Sequence, residues 1–162
     1  MSWDGYVAMI QHVFDAASNS YTVQNVAASG GIFGLDGTKW GATEGFDLTV
    51  YDYDVLLDEE GNKKTVNVDE KALFKDVLNG NTRGGEAGLR FGNDKYMFVS
   101  QEGKYTRLSK RGGGAIIGKA KTCGVIGTWD TASTDSTGKN QNPGDVMLRI
   151  EALVQYLEQQ GY

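Results

Sequence analysis

Both ends of this chain carry an apolar stripe at helical spacing, and the sequence between them is cut by glycine into short β-type runs. In "SWDGYVAMIQHVFDAA", Trp3, Val7, Ile10 and Phe14 recur at steps of four, three and four, which predicts a first helix running up to "SNS". In the last segment, Val146, Ile150, Leu153, Val154 and Leu157 form a second stripe between the only proline, Pro143, and the closing Gly161 and Tyr162. Between them, "YTVQNVAAS", "GGIFGLDGTKWGAT" and "DLTVYDYDVLLDEEGNKKTVNV" are rich in β-branched and aromatic residues and broken by Gly, Asn and Asp, as antiparallel strands are. "LDEEGNKK" reads as a hairpin tip. "VDEKALFKDVLNG" reads as a short helix led by Val68 or Asp69 and ended by Gly80. Further strands follow, separated by "GND", "QEG" and "RGGG", and then the polar loop "DTASTDSTGKNQNPGD". A helix with one apolar face must cover something, so helix, strands, helix predicts an α+β fold in which both terminal helices lie on a sheet. Side by side, they would bring the chain ends together and pool Trp3, Tyr6, Tyr156 and Tyr162 in one surface patch.

A length of 162 residues with 40% hydrophobic content suits one domain, residues 1–162, with one core. Cys123 and His12 are the only residues of their kinds, which leaves no internal disulfide and no cluster of soft metal ligands. We expect a cytoplasmic protein without metal or cofactor. No basic-then-apolar leader begins the chain, and no apolar run approaches the ~20 residues that span a bilayer. The net charge of −5 opposes nucleic-acid binding, which needs a basic surface. Charge is nonetheless unevenly spread. Residues 47–60 hold six acids and no base, whereas residues 95–121 hold seven Lys or Arg against Glu102 alone.

Catalytic patterns are weak. "GGAIIGKA", residues 113–120, approaches G-x-x-x-x-G-K-[ST], but Ala120 replaces the magnesium-binding hydroxyl and "KTCGVIGTW" is β-like where a helix is needed. "GGIFGLDG" lacks the G-x-G-x-x-G spacing of dinucleotide folds. His12 falls on the predicted first helix and Cys123 in an apolar β-type run, so no nucleophile and base pair forms. Asp52 and Asp54 would share a strand face in the acidic hairpin, where solvation or a weak magnesium or calcium contact are the two readings. An enzyme is not expected.

"MSWDGYV", "GNDKYMFV", "GGGAIIGKAKTCGVIGTW" and "PGDVMLRIEALVQYLEQQGY" occur in the order seen in profilins, and the chain resembles that family over about residues 1–46 and 90–162. The resemblance implies a central antiparallel sheet with the N- and C-terminal helices packed together on one face and smaller helices on the other. It also implies a monomeric cytoplasmic, cytoskeletal protein that binds monomeric actin, regulates its polymerisation, and binds proline-rich segments such as those of formins. Phosphoinositide lipids are a further ligand class it implies. Trp3, Tyr6, Trp40, Tyr156 and Tyr162 match the family's polyproline-binding positions, where rings stack on proline and N–H or O–H groups meet the ligand's carbonyls. Lys95, Arg107, Lys110, Arg111, Lys119, Lys121 and Trp129 fall in the family's actin-binding region, with Lys119 and Lys121 on one strand face by their spacing of two. Ser100 replaces an arginine common there, and Gln141, Asn142, Met147 and Leu148 replace more polar or basic residues. Relative to short profilins, residues of about 49–67 and 132–142 are insertions of the kind carried by protist members. The alternative is a module of the same fold that binds polyproline and scarcely binds actin.

Overall fold

The computed structural model describes residues 2–162. Helix α1 (Asp4–Gln11) is followed by a small strand pair, β1 (Val13–Asp15) with β2 (Ser20–Val23). Strands β3 (Ser29–Gly34) and β4 (Lys39–Ala42) form a hairpin, and β5 (Val50–Leu56) and β6 (Lys63–Asp69) form another that leads into helix α2 (Glu70–Leu78). Strands β7 (Leu89–Phe91), β8 (Asp94–Glu102), β9 (Tyr105–Lys110), β10 (Gly113–Lys119) and β11 (Cys123–Asp130) precede helix α3 (Pro143–Gln159). Seven of the strands make one antiparallel sheet in the order β4-β3-β11-β10-β9-β8-β7. The β5–β6 pair stands as a separate two-stranded sheet.

Alternation along the central strands sorts side chains into two cores. On one face Ile32, Ile116 and Val125 meet the α1 and α3 stripes, Val7, Ile10, Val146, Ile150 and Leu157. On the other, Phe33, Ile117 and Ile126 meet Leu73, Phe74 and Val77 of α2, with Tyr51, Val55 and Val66 of the β5–β6 pair packed against them. That second face carries one helix where smaller helices in the plural were expected, and the hairpin covers the remainder.

Helix α1 stops earlier than its stripe suggests. His12 is extended, at φ −129° and ψ 145°, and Phe14 lies on β1, 52% exposed rather than on the helix. The run "HVF" has strand preferences, and pairing with "SYTV" outweighs one more helical turn. The other end of α1 is held. The Ser2 hydroxyl accepts from the Asp4 N–H at 3.2 Å, and the Trp3 carbonyl accepts from the Val7 N–H at 2.9 Å.

Close approach of α3 depends on missing side chains. A β-carbon on Gly118 of β10 would lie 2.8 Å from both Ile150 Cγ2 and Val154 Cγ2, so the helix rests on bare backbone there. Gly118→Ala is therefore expected to lower stability by ~1–3 kcal/mol through overpacking, read as a lower urea midpoint with an unchanged slope.

The β5–β6 hairpin and the loop between β11 and α3 are both held by polar contacts. At the β5–β6 tip, Asp58 accepts from the Glu60 and Asn62 N–H groups at 3.0 and 3.2 Å. Bonds from Asn62 hold its carboxyl below the usual carboxylate range. Asp54 accepts from the Thr65 hydroxyl at 2.6 Å and Asp52 from Asn67 at 3.4 Å, so both carboxylates already have protein partners. The hairpin base is clamped by buried Glu70, which accepts from the Thr49 N–H at 3.1 Å, the Tyr51 hydroxyl at 2.8 Å and the Asn93 N–H at 2.9 Å. Arg90 donates to the Tyr51 oxygen at 2.8 Å and lies over the Tyr53 ring at 4.2 Å. In the loop before α3, Gln141 is buried, accepts from the Asp130 N–H at 2.9 Å and donates to the Asn25 carbonyl at 3.0 Å. Asn142 then caps α3, accepting from the Asp145 N–H at 3.0 Å, with Pro143 in the first turn.

Candidate functional site

The α1 and α3 stripes lie against the same stretch of sheet, and their packing brings the start of one helix to the end of the other. Rings then gather around Trp3, whose centroid lies 5.0 Å from Tyr6, 4.9 Å from Trp40 and 5.0 Å from Tyr162. Tyr6 continues the cluster to Tyr156 at 5.6 Å. All five aromatics named from the sequence are thus brought together. Tyr156 is exposed and the other four half-buried, which gives each ring both an anchored side and a free one.

Local backbone explains the arrangement. A β-carbon on Gly41 of β4 would come within 2.9 Å of Trp3 Cβ and 3.0 Å of Val7 Cγ2, so Trp3 sits directly on the strand. Beside it, Gly34 leaves space for the Trp40 indole nitrogen, 3.2 Å from where its β-carbon would be. At the other terminus α3 closes with Gly161 at φ +93°, a left-handed value suited to glycine, which turns Tyr162 back so that its N–H donates to the Leu157 carbonyl at 2.9 Å. The Thr122 N–H donates to the Tyr162 carbonyl at 3.2 Å and ties that terminus to the β10–β11 turn. Burial, then the neighbouring Tyr156 and Tyr162, push the Tyr6 hydroxyl above its ordinary pKa. Like any tyrosine hydroxyl it is protonated at neutral pH and can donate to a carbonyl. Flat, partly fixed rings with outward N–H and O–H groups suit a ligand that is apolar, stiff and rich in carbonyls.

The basic residues do not form one cluster. Lys95 is the second residue of β8, while Lys110 ends β9 and Arg111 opens the turn to β10, so these three share one end of the sheet. There Lys110 is paired with Asp94 at 2.7 Å and lies 5.5 Å from the centre of the Tyr96 ring. Arg107 pairs across β10 with Ile116, which places it on the α1–α3 side of the sheet. Lys119 ends β10, ~20 Å along the strand from residue 113. It follows Ile117 by two and so points to the α2 side, lining a cleft with Val77 and Gly80. Lys121 lies beyond the strand, in a turn closed by the Ala120 N–H on the Cys123 carbonyl at 2.8 Å, so the same-face reading of Lys119 and Lys121 does not hold. Trp129 is also relocated. It is 4% exposed, and a β-carbon on Gly114 would come within 2.5 Å of its ring, so it fills the core over that glycine and offers no surface anchor.

Some exposed residues escaped sequence reading. The apolar run Met97, Phe98 and Val99 on β8 is 69%, 44% and 47% exposed; Met97 lies opposite Ser109 on the face that carries Arg107, and Phe98 lies opposite Leu108 on the α2 side. Its signal was three successive apolar residues in "KYMFVS", which an alternating strand cannot bury on one face. A second ring group, in which His12 and Phe14 both contact Tyr21 at 5.1 and 5.6 Å, arises from the β1–β2 pair.

Comparison with known proteins decides the family. The profilin family model matches residues 1–162. The chain belongs to the profilin family. A profilin of Tetrahymena pyriformis is 32% identical over 163 residues, covering 99% of this chain and 98% of that one. Profilin IA of Acanthamoeba castellanii has the same fold at a TM-score of 0.64 and 19% identity, covering 99% of this chain and 100% of its own. Mouse profilin IIa, solved in complex with a double repeat from the FH1 domain of mDia1, superposes at a TM-score of 0.57 and 18% identity, with 100% of each chain covered. Profilins are actin-binding regulators rather than enzymes, and all but the last residue of the weak P-loop pattern lie in strand β10, with no helix following. No helix among the described residues is long and apolar enough to cross a membrane.

Proposed function

We propose that this profilin binds monomeric actin through the sheet face formed by β8 and β9 and binds proline-rich segments through the aromatic cluster at its joined termini. The observation that carries the reading is the convergence of Trp3, Tyr6, Trp40, Tyr156 and Tyr162 from three separate elements on one half-exposed patch. A polyproline II segment is already extended and stiff, so docking costs it little entropy, and its rings and carbonyls match the patch. A formin-type FH1 repeat, such as the mouse relative holds, is the ligand class this favours.

For actin, the proposed contact combines exposed Met97 and Val99 with Arg107 and the basic end formed by Lys95 and Arg111, Lys110 being partly neutralised by Asp94. Apolar area supplies affinity there, and the cations steer encounter and register. Lys119 points to the α2 side and Lys121 lies in the turn beyond β10, so both stand outside that face. Phosphoinositide headgroups would meet the same basic end and so compete with actin. Charge reversal separates these assignments. Arg107→Glu with Arg111→Glu is expected to weaken the actin complex by ~10-fold or more and flatten its salt dependence, while Lys119→Glu with Lys121→Glu changes it several-fold less. Titration of fluorescently labelled monomeric actin measures both. Unchanged affinity in the first variant would remove the β8–β9 face from the proposal, and no complex at all with the unaltered protein would remove actin.

A further inference from the structure

Neither proposed ligand uses the end of the β5–β6 hairpin, and that end is not built like a solvated loop tip. Leu56 and Leu57 are adjacent there, 64% and 62% exposed, and no core contact covers them. The tip is ordered nonetheless: the Leu57 N–H donates to the Asn62 carbonyl at 2.8 Å, and Asn62 Nδ2 donates to Asp58 at 2.7 Å. Apolar side chains already held in place lose little entropy on meeting a partner. Glu59 and Glu60 stand exposed beside them, and among the described residues neither makes an ion pair. Matching chemistry lies on the other side of the sheet. Met97 on β8 has Lys95 two residues before it on the same face, and Arg107 lies diagonally across on β9. Ion pairs among the described residues use Lys39, Lys64, Lys104, Lys110 and Lys139, so exposed Lys95, Arg107 and Arg111 have no acidic partner. The hairpin packs on the α2 side, whereas Met97 and Arg107 face the α1–α3 side, so a chain cannot lay its own tip on its own β8–β9 face.

We infer that the hairpin tip of one copy docks on the β8–β9 face of a second copy, Leu56 and Leu57 against Met97, with Glu59 and Glu60 toward Arg107 and Arg111. Charge complementarity within the chain selects this occupant: residues 47–60 hold six acids and no base, and residues 95–121 hold seven bases and one acid. Each copy contributes two different surfaces, so association is head-to-tail and continues into open chains or a closed ring rather than stopping at a symmetric pair. Stable interfaces take about 20 residues a side, more than the tip supplies, so the contact is weak and forms only at high concentration. Because the docking face is the one proposed for actin, monomeric actin dissolves the chains; that consequence alone rests on the actin reading.

Sedimentation velocity from ~10 to ~500 μM tests this on the unaltered protein, on Leu56→Ser with Leu57→Ser, and on Arg107→Glu with Arg111→Glu. In ~20 mM salt the sedimentation coefficient of the unaltered protein is expected to rise with concentration, and in ~500 mM salt to stay much closer to the monomer value. Each double variant alone should remain monomeric. An equimolar mixture of the two should form a heterodimer, because each carries the surface the other lacks. All four side chains are exposed, so both variants are expected to fold, which near-UV circular dichroism verifies. A monomer at every concentration and salt would overturn the inference. So would association that survives either double variant, or a mixture that fails to pair, since both place the contact elsewhere. Labelled actin at ~1 μM profilin, far below self-association, reads the other ligand separately. Loss of actin affinity in Leu56→Ser with Leu57→Ser, without any self-association of the unaltered protein, would assign the tip to actin and overturn the second copy. Chains that form in a protein with no affinity for actin would uphold the inference while the actin reading fails.

Discussion

Trp3→Ala is expected to weaken binding of a proline-rich peptide by ~30-fold or more and to leave the actin complex unchanged. Trp3 is the hub of the patch, touching Tyr6, Trp40 and Tyr162 at about 5 Å each, whereas Tyr156 is in ring contact with Tyr6 at 5.6 Å. Removing the indole deletes one stacking surface and one N–H donor. It also opens a gap into which Trp40 and Tyr162 can turn, so the remaining rings lose their preset orientation. Trp3→Phe should recover part of the affinity by restoring the packing without the donor. Intrinsic tryptophan fluorescence, reporting from Trp40, follows the peptide, and labelled actin follows the second ligand. Full peptide affinity in Trp3→Ala would mean that the cluster only staples the two helices; parallel loss of both ligands would mean that the sites are not separate.

The second large effect is on stability. Glu70→Ala is expected to destabilise the fold by ~3 kcal/mol or more, because it strips acceptors from two backbone N–H groups and the Tyr51 hydroxyl at a site with no exposure. Arg90 stays behind among the Tyr51 and Tyr53 rings without the carboxylate near its hydrogen-bonded partner. Glu70→Gln keeps one carbonyl acceptor and should fall between. Urea unfolding measures the loss, and limited proteolysis tests whether the β5–β6 hairpin is released first. A change below ~0.5 kcal/mol, the range of ordinary surface substitutions, would show that the hairpin is held by its apolar contacts alone.

The terminal helices, the hairpin tip and the start of α2 at Val68 or Asp69 were legible in the sequence because each follows from a local period or a cap residue, and the structure selects Asp69 as the cap. Phe14 was misplaced because residues 12–15 satisfy both a helical step and a strand pair, and only the partner strand decides between them. The spacing of Lys119 and Lys121 misled for a related reason: a step of two means one face only while the strand lasts, and β10 ends at Lys119. Trp129 follows Val125 by four along β11, on the same face, and so belongs with the α1–α3 core. What the sequence did not reveal was the small Gly114 on the neighbouring strand that makes room for it. Glu70 looked like an ordinary first-turn acid, since its partners Thr49, Tyr51 and Asn93 come from two other segments. Of the candidate site, the five aromatics were readable from the chain ends and one hairpin. The β1–β2 ring group was not, because it depends on where α1 stops.

The meeting of the two chain ends also bears on how the molecule can be labelled. A fluorescent protein or purification tag joined at either end would begin beside the Trp3 and Tyr162 rings and shield them, so a fusion could report a loss of peptide binding that the native chain does not have. The β5–β6 tip, exposed over residues 58–62 and on the opposite side of the sheet, offers a place to insert a label that leaves the ring cluster uncovered.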